Sequence, residues 1–216
     1  MRWPLLLRKA NIPKIHFQAE SFLHQPPNGL ESAYRAVHTY IQGLKDYVPS
    51  GFGLLLQGDV GTSKTTLSVA VGMMYMRLVC QDQLTDPYDA SGETLHPPVY
   101  YFSALDLAGM LFGVEKQERN RIERTLERVP LLIWDDLGYE RPYDENAQAN
   151  FLTVFVQSLI EKRHKECRTT IFTTNLTNAE LNKIYNQGTI QRLAEKNHRV
   201  LMQGPSLRKK FLLPDL

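Results

Sequence analysis

One segment limits what this chain can fold into more than any other feature. It runs from Gly58 to Thr65 and reads Gly-Asp-Val-Gly-Thr-Ser-Lys-Thr. The apolar run Leu54-Leu55-Leu56 precedes it, as expected of a strand buried on both faces, and an apolar-rich helix is predicted from about Lys64 to Cys80. A segment close to the pattern G-x-x-x-x-G-K-[ST], placed between a strand and a helix, is typical of a phosphate-binding loop. The sequence therefore predicts a P-loop fold.

The residue types in this loop suit a nucleoside triphosphate. Gly58 and Gly61 allow a tight turn, so that backbone N–H groups converge on phosphate oxygens, and the helix start adds partial positive charge. Lys64 can reach the β- and γ-phosphates, while the Thr65 hydroxyl can ligate Mg²⁺. We predict that ATP is bound by the loop and the residue after it: Gly58, Asp59, Val60, Gly61, Thr62, Ser63, Lys64, Thr65 and Thr66.

Ser63 departs from the pattern, which has a glycine at this position. A Cβ atom there is expected to crowd the phosphate or to strain the loop, although Lys64 and Thr65 remain. Two interpretations stay open on this ground. The chain either hydrolyses the triphosphate, or it binds the nucleotide with little turnover and acts as an interaction module.

Two further segments predict the rest of a catalytic site. Asp135 and Asp136 follow the apolar run 131–134, which is the Walker-B arrangement, and we predict that Asp135 holds Mg²⁺ while Asp136 orients or deprotonates the attacking water. Asn175 follows the strand candidate 171–174 and is predicted to position the same water. Because ligands in parallel sheets bind at the carboxyl ends of the strands, we expect these groups to meet.

Strands and helices alternate along the chain. The pattern predicts an α/β fold, a mostly parallel five-stranded sheet with helices on both faces. Residues 1–30 contain four prolines and little periodicity, and are predicted to form an irregular N-terminal arm before a core of residues 31–216. Residues 81–98 are polar and proline-bearing, which favours a surface loop. The predicted strands are 54–57, 99–102, 130–134, 169–173 and 199–202, and the predicted helices 31–48, 64–80, 104–112, 115–128, 146–163, 177–185 and 189–196.

Composition and cysteine spacing exclude several classes of protein. No apolar run approaches the roughly 18 residues that span a bilayer, and Cys80 and Cys167 match no metal or redox spacing. The net charge of +2 does not by itself indicate a nucleic-acid-binding protein. We expect a cytoplasmic protein without a membrane partner.

The order of these motifs resembles that of the AAA+ ATPases, and most closely the DnaC/DnaI helicase loaders and the related IstB transposition ATPases. The resemblance covers most of the chain and is more specific as a set than any single member. It is carried by residues 10–14, the run 53–56 with the P-loop, residues 134–140, residues 173–176, residues 191–193 and residues 204–208.

The resemblance implies further site residues. Asn175 is similar to sensor 1, and Arg192 resembles an arginine finger that is offered to the γ-phosphate of a neighbouring subunit, which implies an ATP-dependent homo-oligomer. Arg208 resembles either a second sensing arginine or a DNA or phosphate contact, although with the two lysines that follow it is equally a solvated basic tail. As in the loader and IstB branch, no helical lid domain is expected.

The implied function is that of a DNA-replication ATPase. By the resemblance, the chain assembles on DNA, with single-stranded DNA as the expected form, and loads a replicative helicase, with ATP and Mg²⁺ as cofactors. The alternative is an IstB-like ATPase that serves a transposase. The short arm before the first helix leaves open whether the chain is the ATPase part alone or meets its partner differently.

Two basic segments are candidates for the DNA contact. In the first, 115–128, four arginines alternate with glutamates, so that pore contacts with DNA and intrahelical ion pairs remain alternatives. The second is a basic cluster at a predicted helix end, where its charge also complements the helix dipole. The residues are Arg119, Arg121, Arg124 and Arg128 in the first segment, and Arg163, His164, Lys165 and Arg168 in the second.

Overall fold

A computed structural model describes residues 3–24, 26–83, 97–140 and 147–207 of the chain. Within these ranges five strands pair in parallel in the order β2-β3-β4-β1-β5. The sheet predicted from the sequence is therefore confirmed. Its strands are β1 (Gly53–Gly58), β2 (Val99–Ser103), β3 (Leu131–Asp135), β4 (Thr169–Thr174) and β5 (Asn197–Met202).

Nine α-helices lie in the described parts of the chain. They are α1 (Trp3–Lys9), α2 (Glu31–Gln42), α3 (Leu44–Ser50), α4 (Lys64–Gln83), α5 (Leu107–Phe112), α6 (Lys116–Arg128), α7 (Ala147–Lys165), α8 (Asn178–Ile184) and α9 (Gln187–Lys196). The helix predicted over 31–48 is divided at Gly43. The capping box predicted at the start of α8 is present, with Thr177 and Glu180 exchanging hydrogen bonds.

The helices cover both faces of the sheet. Along β1, Leu54 and Leu56 point into the apolar cluster that contains α1 to α4, whereas Leu55 points into the cluster that contains α5 to α9. Along β3, Ile133 and Trp134 divide in the same way. This alternation follows from the two-residue period of a strand, and it explains why β1 and β3 appear in the sequence as wholly apolar runs.

The prediction of an irregular arm is wrong for the secondary structure of residues 3–24. They form α1 and two 3-10 turns, Lys14–His16 and Ala19–His24. Leu6 and Leu7 are buried in the same cluster as the sheet. Pro4 suggested a break, but a proline in the first turn of a helix removes no hydrogen bond. The division into an arm and a core stays a prediction.

The segment after α1 also provides hydrogen-bond partners for backbone groups of β2, which is an edge strand of the sheet. The backbone N–H of Tyr101, in β2, donates to the carbonyl of Ala10 over 2.8 Å, and the Asn11 side-chain amide donates to the carbonyl of Tyr101 over 2.9 Å. An edge strand otherwise presents unpaired backbone groups. The family resemblance singled out residues 10–14. The first two of them, Ala10 and Asn11, hydrogen-bond to the backbone of β2.

A buried arginine ties elements together at the amino edge of the sheet. Arg163, near the end of α7, is 2% exposed and donates to the carbonyls of Leu126, Val129 and Thr169 and to the hydroxyl of Thr170. These contacts join the end of α6 to the starts of β3 and β4. Arg163 is therefore not available for the DNA contact for which its basic cluster was a candidate, because its guanidinium is enclosed by carbonyls.

The predicted loop over 81–98 is only partly described. Residues 81–83 belong to α4, and residues 84–96 lie outside the described ranges. Searched over its described ranges, the chain has no helix of the length and apolarity needed to cross a membrane. The cytoplasmic location stays a prediction.

Candidate nucleotide-binding site

A cleft of about 610 Å³ opens at the carboxyl edge of the sheet, between the P-loop and the ends of β3 and β4. The structure brings most of the predicted site residues together here. An apolar rim, which the sequence did not predict, accompanies them. From the predicted set the cleft is lined by Val60, Gly61, Ser63, Lys64, Thr65, Thr66, Asp135, Asp136 and Asn175, and from elsewhere by Ile15, His16, Phe22, Tyr101 and Leu207.

The P-loop wraps around the ammonium group of Lys64. The Nζ atom donates to the carbonyl oxygens of Gly58 over 2.9 Å and Asp59 over 2.5 Å, and the side chain is 6% exposed. The Thr62 hydroxyl donates to the same Asp59 carbonyl over 2.8 Å and is fully buried. Gly58, Asp59 and Thr62 are not among the residues that line the cleft, and their part in binding a nucleotide stays a prediction.

Glycine is required at Gly58 by both conformation and space. Its φ is +148°, and a Cβ atom there would collide with the backbone carbonyl of Met202 in β5. The N–H of Asp59 donates to that same carbonyl over 3.0 Å. The close approach of the two backbones fixes where the loop leaves β1, and a side chain would prevent it.

Ser63 adopts a left-handed backbone conformation, with φ of +66°. This is the conformation that favours glycine, and L-residues with a Cβ pay about 1–2 kcal/mol to adopt it. The predicted strain at Ser63 therefore has a structural basis in this loop. The hydroxyl of Tyr34, on α2, is buried and has no hydrogen-bond partner among the described residues. Burial raises the pKa of Tyr34, and the nearby Ser63 side chain lowers it in part.

Asp135 is the most heavily hydrogen-bonded acid of the cleft. Its Oδ1 accepts from the hydroxyls of Thr65 over 2.9 Å and Thr173 over 2.5 Å, and its Oδ2 accepts from Tyr101 over 2.9 Å. The residue is 5% exposed. Thr65 and Asp135, the two predicted metal ligands, thus contact each other across the P-loop and β3.

Asp136 is held beside Asp135 by the same threonine. Its backbone N–H donates to the Thr173 hydroxyl over 3.0 Å, and its φ of +58° turns the chain sharply at the end of β3. Because of this turn the half-buried side chain lines the cleft, where Asn175 also lies. Thr173 was part of the family resemblance, but its role as a bridge between the aspartates was not predicted.

A second buried carboxylate supports the turn after Asp136. Glu140 accepts from the N–H of Gly138 and, over 2.7 Å, from the hydroxyl of Tyr185 at the end of α8. Burial raises the pKa of Glu140, while these hydrogen bonds act in the opposite direction. The loop that follows the acidic pair is thereby fastened to the helical layer.

Two polar residues of the cleft were missed from the sequence. Burial lowers the pKa of His16, although the nearby charge of Asp135 raises it. Tyr101 was placed in an apolar strand without a role. The signal for both lies in tertiary structure, because each comes from a segment far from the motifs along the chain.

Neither of the two predicted arginines is among the described residues that line this cleft. Arg192, on α9, lies near the amino edge of the sheet, where its Nη2 atom is 3.7 Å from Oε1 of Glu161. Its own subunit's cleft is at the opposite edge, so a role in catalysis would require another copy. Arg208 lies outside the described residues.

Comparison with known proteins found a relative in sequence and similar solved structures. A relative, an insertion sequence ATP-binding protein (y4pL) of Sinorhizobium fredii strain NBRC 101917 / NGR234, is 28% identical over 169 residues, which is 76% of this chain. The chain spans 60% of that relative's length. The structure of the DnaC helicase loader matches with a TM-score of 0.65 at 21% identity, over 88% of this chain and 99% of that one. The structure of DnaI matches with a TM-score of 0.62 at 20% identity, over 93% of this chain and all of that one.

A family model described as IstB-like ATP binding protein matches residues 94–213, which is more than half of the chain. The match begins after the P-loop and includes the acidic pair, Asn175, Arg192 and Arg208. The resemblance drawn from the motifs is thereby confirmed, together with the AAA+ type of fold. The chain belongs to the IstB-like ATP-binding protein family.

Proposed function

We propose that this chain binds ATP with Mg²⁺ in the cleft at the carboxyl edge and hydrolyses it. The observation that carries the proposal is the contact between Thr65 and Asp135 directly beyond Lys64. A hydroxyl and a carboxylate are the hard oxygen ligands that Mg²⁺ prefers, and phosphates and waters complete its shell in such sites. Bound there, Mg²⁺ would neutralise charge on the phosphates.

The proposed roles follow from where each group lies. Lys64 and the N–H groups of the loop hold the phosphates. Asp136 accepts the proton of the attacking water, and Asn175 orients that water by hydrogen bonding. Asp135 is less available for this task, because three hydroxyls already occupy its oxygens. Arg192 of a neighbouring copy would supply positive charge to the transferred phosphate.

The rim of the cleft suits a nucleotide base. Ile15 is 86% exposed and Phe22 49% exposed, and both stand at the cleft with Val60 and Leu207. Large apolar side chains left in contact with water at a polar cleft favour an apolar, planar group of the ligand. We therefore place the base against this rim, with the phosphates toward Lys64.

We further propose that the ATPase serves a transposase and acts on DNA as an ATP-dependent homo-oligomer. This differs in order from the expectation drawn from the motifs, in which helicase loading came first. The family description and the insertion-sequence relative support the transposase partner. The structural likeness to DnaC and DnaI supports the fold alone, because both are under 25% identical.

Steady-state ATP hydrolysis, measured with and without DNA, tests the enzymatic part. We expect Mg²⁺-dependent turnover that Asp136→Asn lowers by about 10²–10⁴-fold, the range for loss of a general base. Asp46→Asn, at an exposed position on α3, is the matched control and should hydrolyse ATP normally. Undiminished turnover in Asp136→Asn would refute the assignment.

Two other interpretations are separated by simple observations. Tight ATP binding with near-background hydrolysis, measured at high protein concentration with DNA, would favour an interaction module. The strained backbone at Ser63 is the observation that supports this alternative. For the partner, the tagged full chain is used to capture purified transposase or replicative helicase. Retention of the helicase alone would overturn the proposal of a transposase partner.

A further inference from the structure

A second cleft, of about 550 Å³, lies at the amino edge of the sheet, opposite the edge that holds the nucleotide cleft. Pro97 precedes β2 and Pro130 precedes β3, and together with Val129 they form its apolar wall. The other wall is one face of α6. A concave site of this size, lined by apolar, neutral polar and charged residues, has the character of a binding pocket.

Three arginines define the charged wall. Arg121, Arg124 and Arg128 are three and four residues apart, so they project from the same face of α6. At a rise of 1.5 Å per residue they extend over about 10 Å along the helix. Gln117 and Asn120 line the same wall and add amide donors and acceptors.

The acids of the same helix do not neutralise this wall. Glu123 pairs with Arg119 over 2.8 Å, and Glu127 pairs with Lys162 of α7 over 2.6 Å. In the part of the chain that the structure describes, neither Arg124 nor Arg128 has an ion-pair partner.

Arg121 is paired only loosely. Glu118 is 3.5 Å from it, and both side chains are exposed to solvent. Ion pairs within α6 and with α7 therefore engage Glu118, Glu123 and Glu127 but leave the wall of the cleft positively charged.

The lining favours a peptide over a nucleic acid. None of the described residues that line the cleft is aromatic, so these residues offer no surface on which bases would stack. The chain as a whole carries a net charge of only +2, which by itself does not indicate a nucleic-acid-binding protein. Arginine forks match carboxylates in paired hydrogen bonds, side-chain amides match peptide groups, and an apolar wall accepts an apolar side chain.

We infer that this cleft binds an acidic peptide segment of a protein partner. At least two carboxylates of the segment contact Arg124 and Arg128, and an apolar side chain between them packs on Pro97, Val129 and Pro130. The surface lies at the edge of the sheet away from the nucleotide, so a partner docked here leaves the ATP cleft open. The inference does not require that the chain hydrolyses ATP.

Fluorescence anisotropy of a labelled peptide of alternating glutamate and leucine, titrated with the full chain, tests this. We expect binding that the double variant R124Q/R128Q weakens by about tenfold or more, as for lost charge-assisted hydrogen bonds. R124K/R128K should recover only part of the affinity, because lysine keeps the charge but lacks the fork. Thermal unfolding of each variant verifies that it is folded.

The matched control is R35Q/R199Q, which removes the same charge from exposed positions on α2 and β5. Equal weakening by this control would overturn the inference, because binding would then follow net charge alone. K64A should bind the peptide normally, so that a failed nucleotide site and a failed docking site are told apart.

Two other occupants of the cleft would also overturn the inference. One is nucleic acid, shown if labelled DNA binds and R124Q/R128Q abolishes that binding while the peptide does not bind. The other is the chain's own acidic stretch, whose sequence includes Asp86, Asp89 and Glu93. It would be indicated if the peptide binds only after these three are changed to amides.

Discussion

Each edge of the sheet buries a charged side chain among neutral hydrogen-bonding groups, Asp135 at one edge and Arg163 at the other, and the two charges have different surroundings. At the carboxyl edge, Asp135 accepts from three hydroxyls and borders the large nucleotide cleft. At the amino edge, Arg163 donates to backbone carbonyls and to one hydroxyl and is enclosed by protein. The Asp135 carboxylate borders an open cleft, whereas the Arg163 guanidinium holds together parts of the fold.

The groups that surround a buried charge indicate its role. Burying a charge without partners is strongly unfavourable, so both groups need polar neighbours. The hydroxyls around Asp135 are neutral and do not cancel its negative charge. A cation in the cleft could therefore still pair with it. The carbonyls around Arg163 use its donors internally, and the position of those carbonyls then depends on the arginine.

The largest expected effect is that a residue at the amino edge contributes to ATP turnover. Arg192 lies at the amino edge, yet we expect Arg192→Ala to lower ATP turnover by about 10³-fold or more, as for an arginine finger. Adding an excess of Asp136→Asn protein, which keeps Arg192, should restore part of the turnover in mixed oligomers. Arg168→Ala, at the same edge, is the control. Full activity of a monomeric Arg192→Ala protein would refute the role.

The next effect concerns Arg163 as a structural residue. Arg163→Met should lower the free energy of unfolding by about 3–5 kcal/mol, since several buried carbonyls lose their donor at once. Chemical denaturation measures it, with the exposed neighbour Arg168→Met as the control. A loss below about 1 kcal/mol would mean that the carbonyls find water instead.

A smaller effect on stability is expected at the carboxyl edge, at Ser63. Ser63→Gly should stabilise the fold by about 0.5–1 kcal/mol, because glycine relieves the left-handed backbone but has more freedom when unfolded. The same change at exposed Ser158, inside α7, should destabilise by a similar amount. If Ser63→Gly destabilises the protein instead, the contribution of the left-handed backbone at Ser63 to stability is smaller than the cost of the added chain freedom.

The smallest effect is a pH dependence from Glu140, whose pKa burial raises above its usual 4.5. The folded state then holds the proton more tightly than the unfolded state, so the contribution of Glu140 to stability is fully present below about pH 4.5 and declines as pH rises through the folded pKa. Glu140→Gln should remove this decline. Unfolding curves across acidic and neutral pH, compared with exposed Glu166→Gln, measure the difference; parallel curves for the wild type and Glu140→Gln would contradict it.

Local patterns predicted most of the carboxyl edge. The P-loop, the acidic pair after β3 and Asn175 after β4 each follow an apolar strand. Because parallel strands end at one edge of a sheet, the meeting of these three segments was predictable from the sequence alone. The strand and helix order was predictable for a related reason, since buried strands and amphipathic helices have distinct periods.

What could not be predicted depends on contacts between distant segments. Tyr101 reaches Asp135 from the neighbouring strand, and His16 reaches the cleft from a 3-10 turn near the start of the chain. Arg163 appeared as one of several cations at a helix end, and nothing in its neighbours along the chain distinguishes a buried arginine from an exposed one. Its role follows from the carbonyls that the folded chain brings around it.

We propose that the carboxyl edge binds ATP through the P-loop and acts on it through the acidic pair. Calorimetric titration of ATP with Mg²⁺ into the wild type, Lys64→Ala and Asp136→Asn tests it most directly. We predict that Lys64→Ala loses about tenfold or more in affinity, the scale of a lost charge-assisted contact, whereas Asp136→Asn binds as the wild type does. Equal binding of ATP by Lys64→Ala and the wild type would contradict the account.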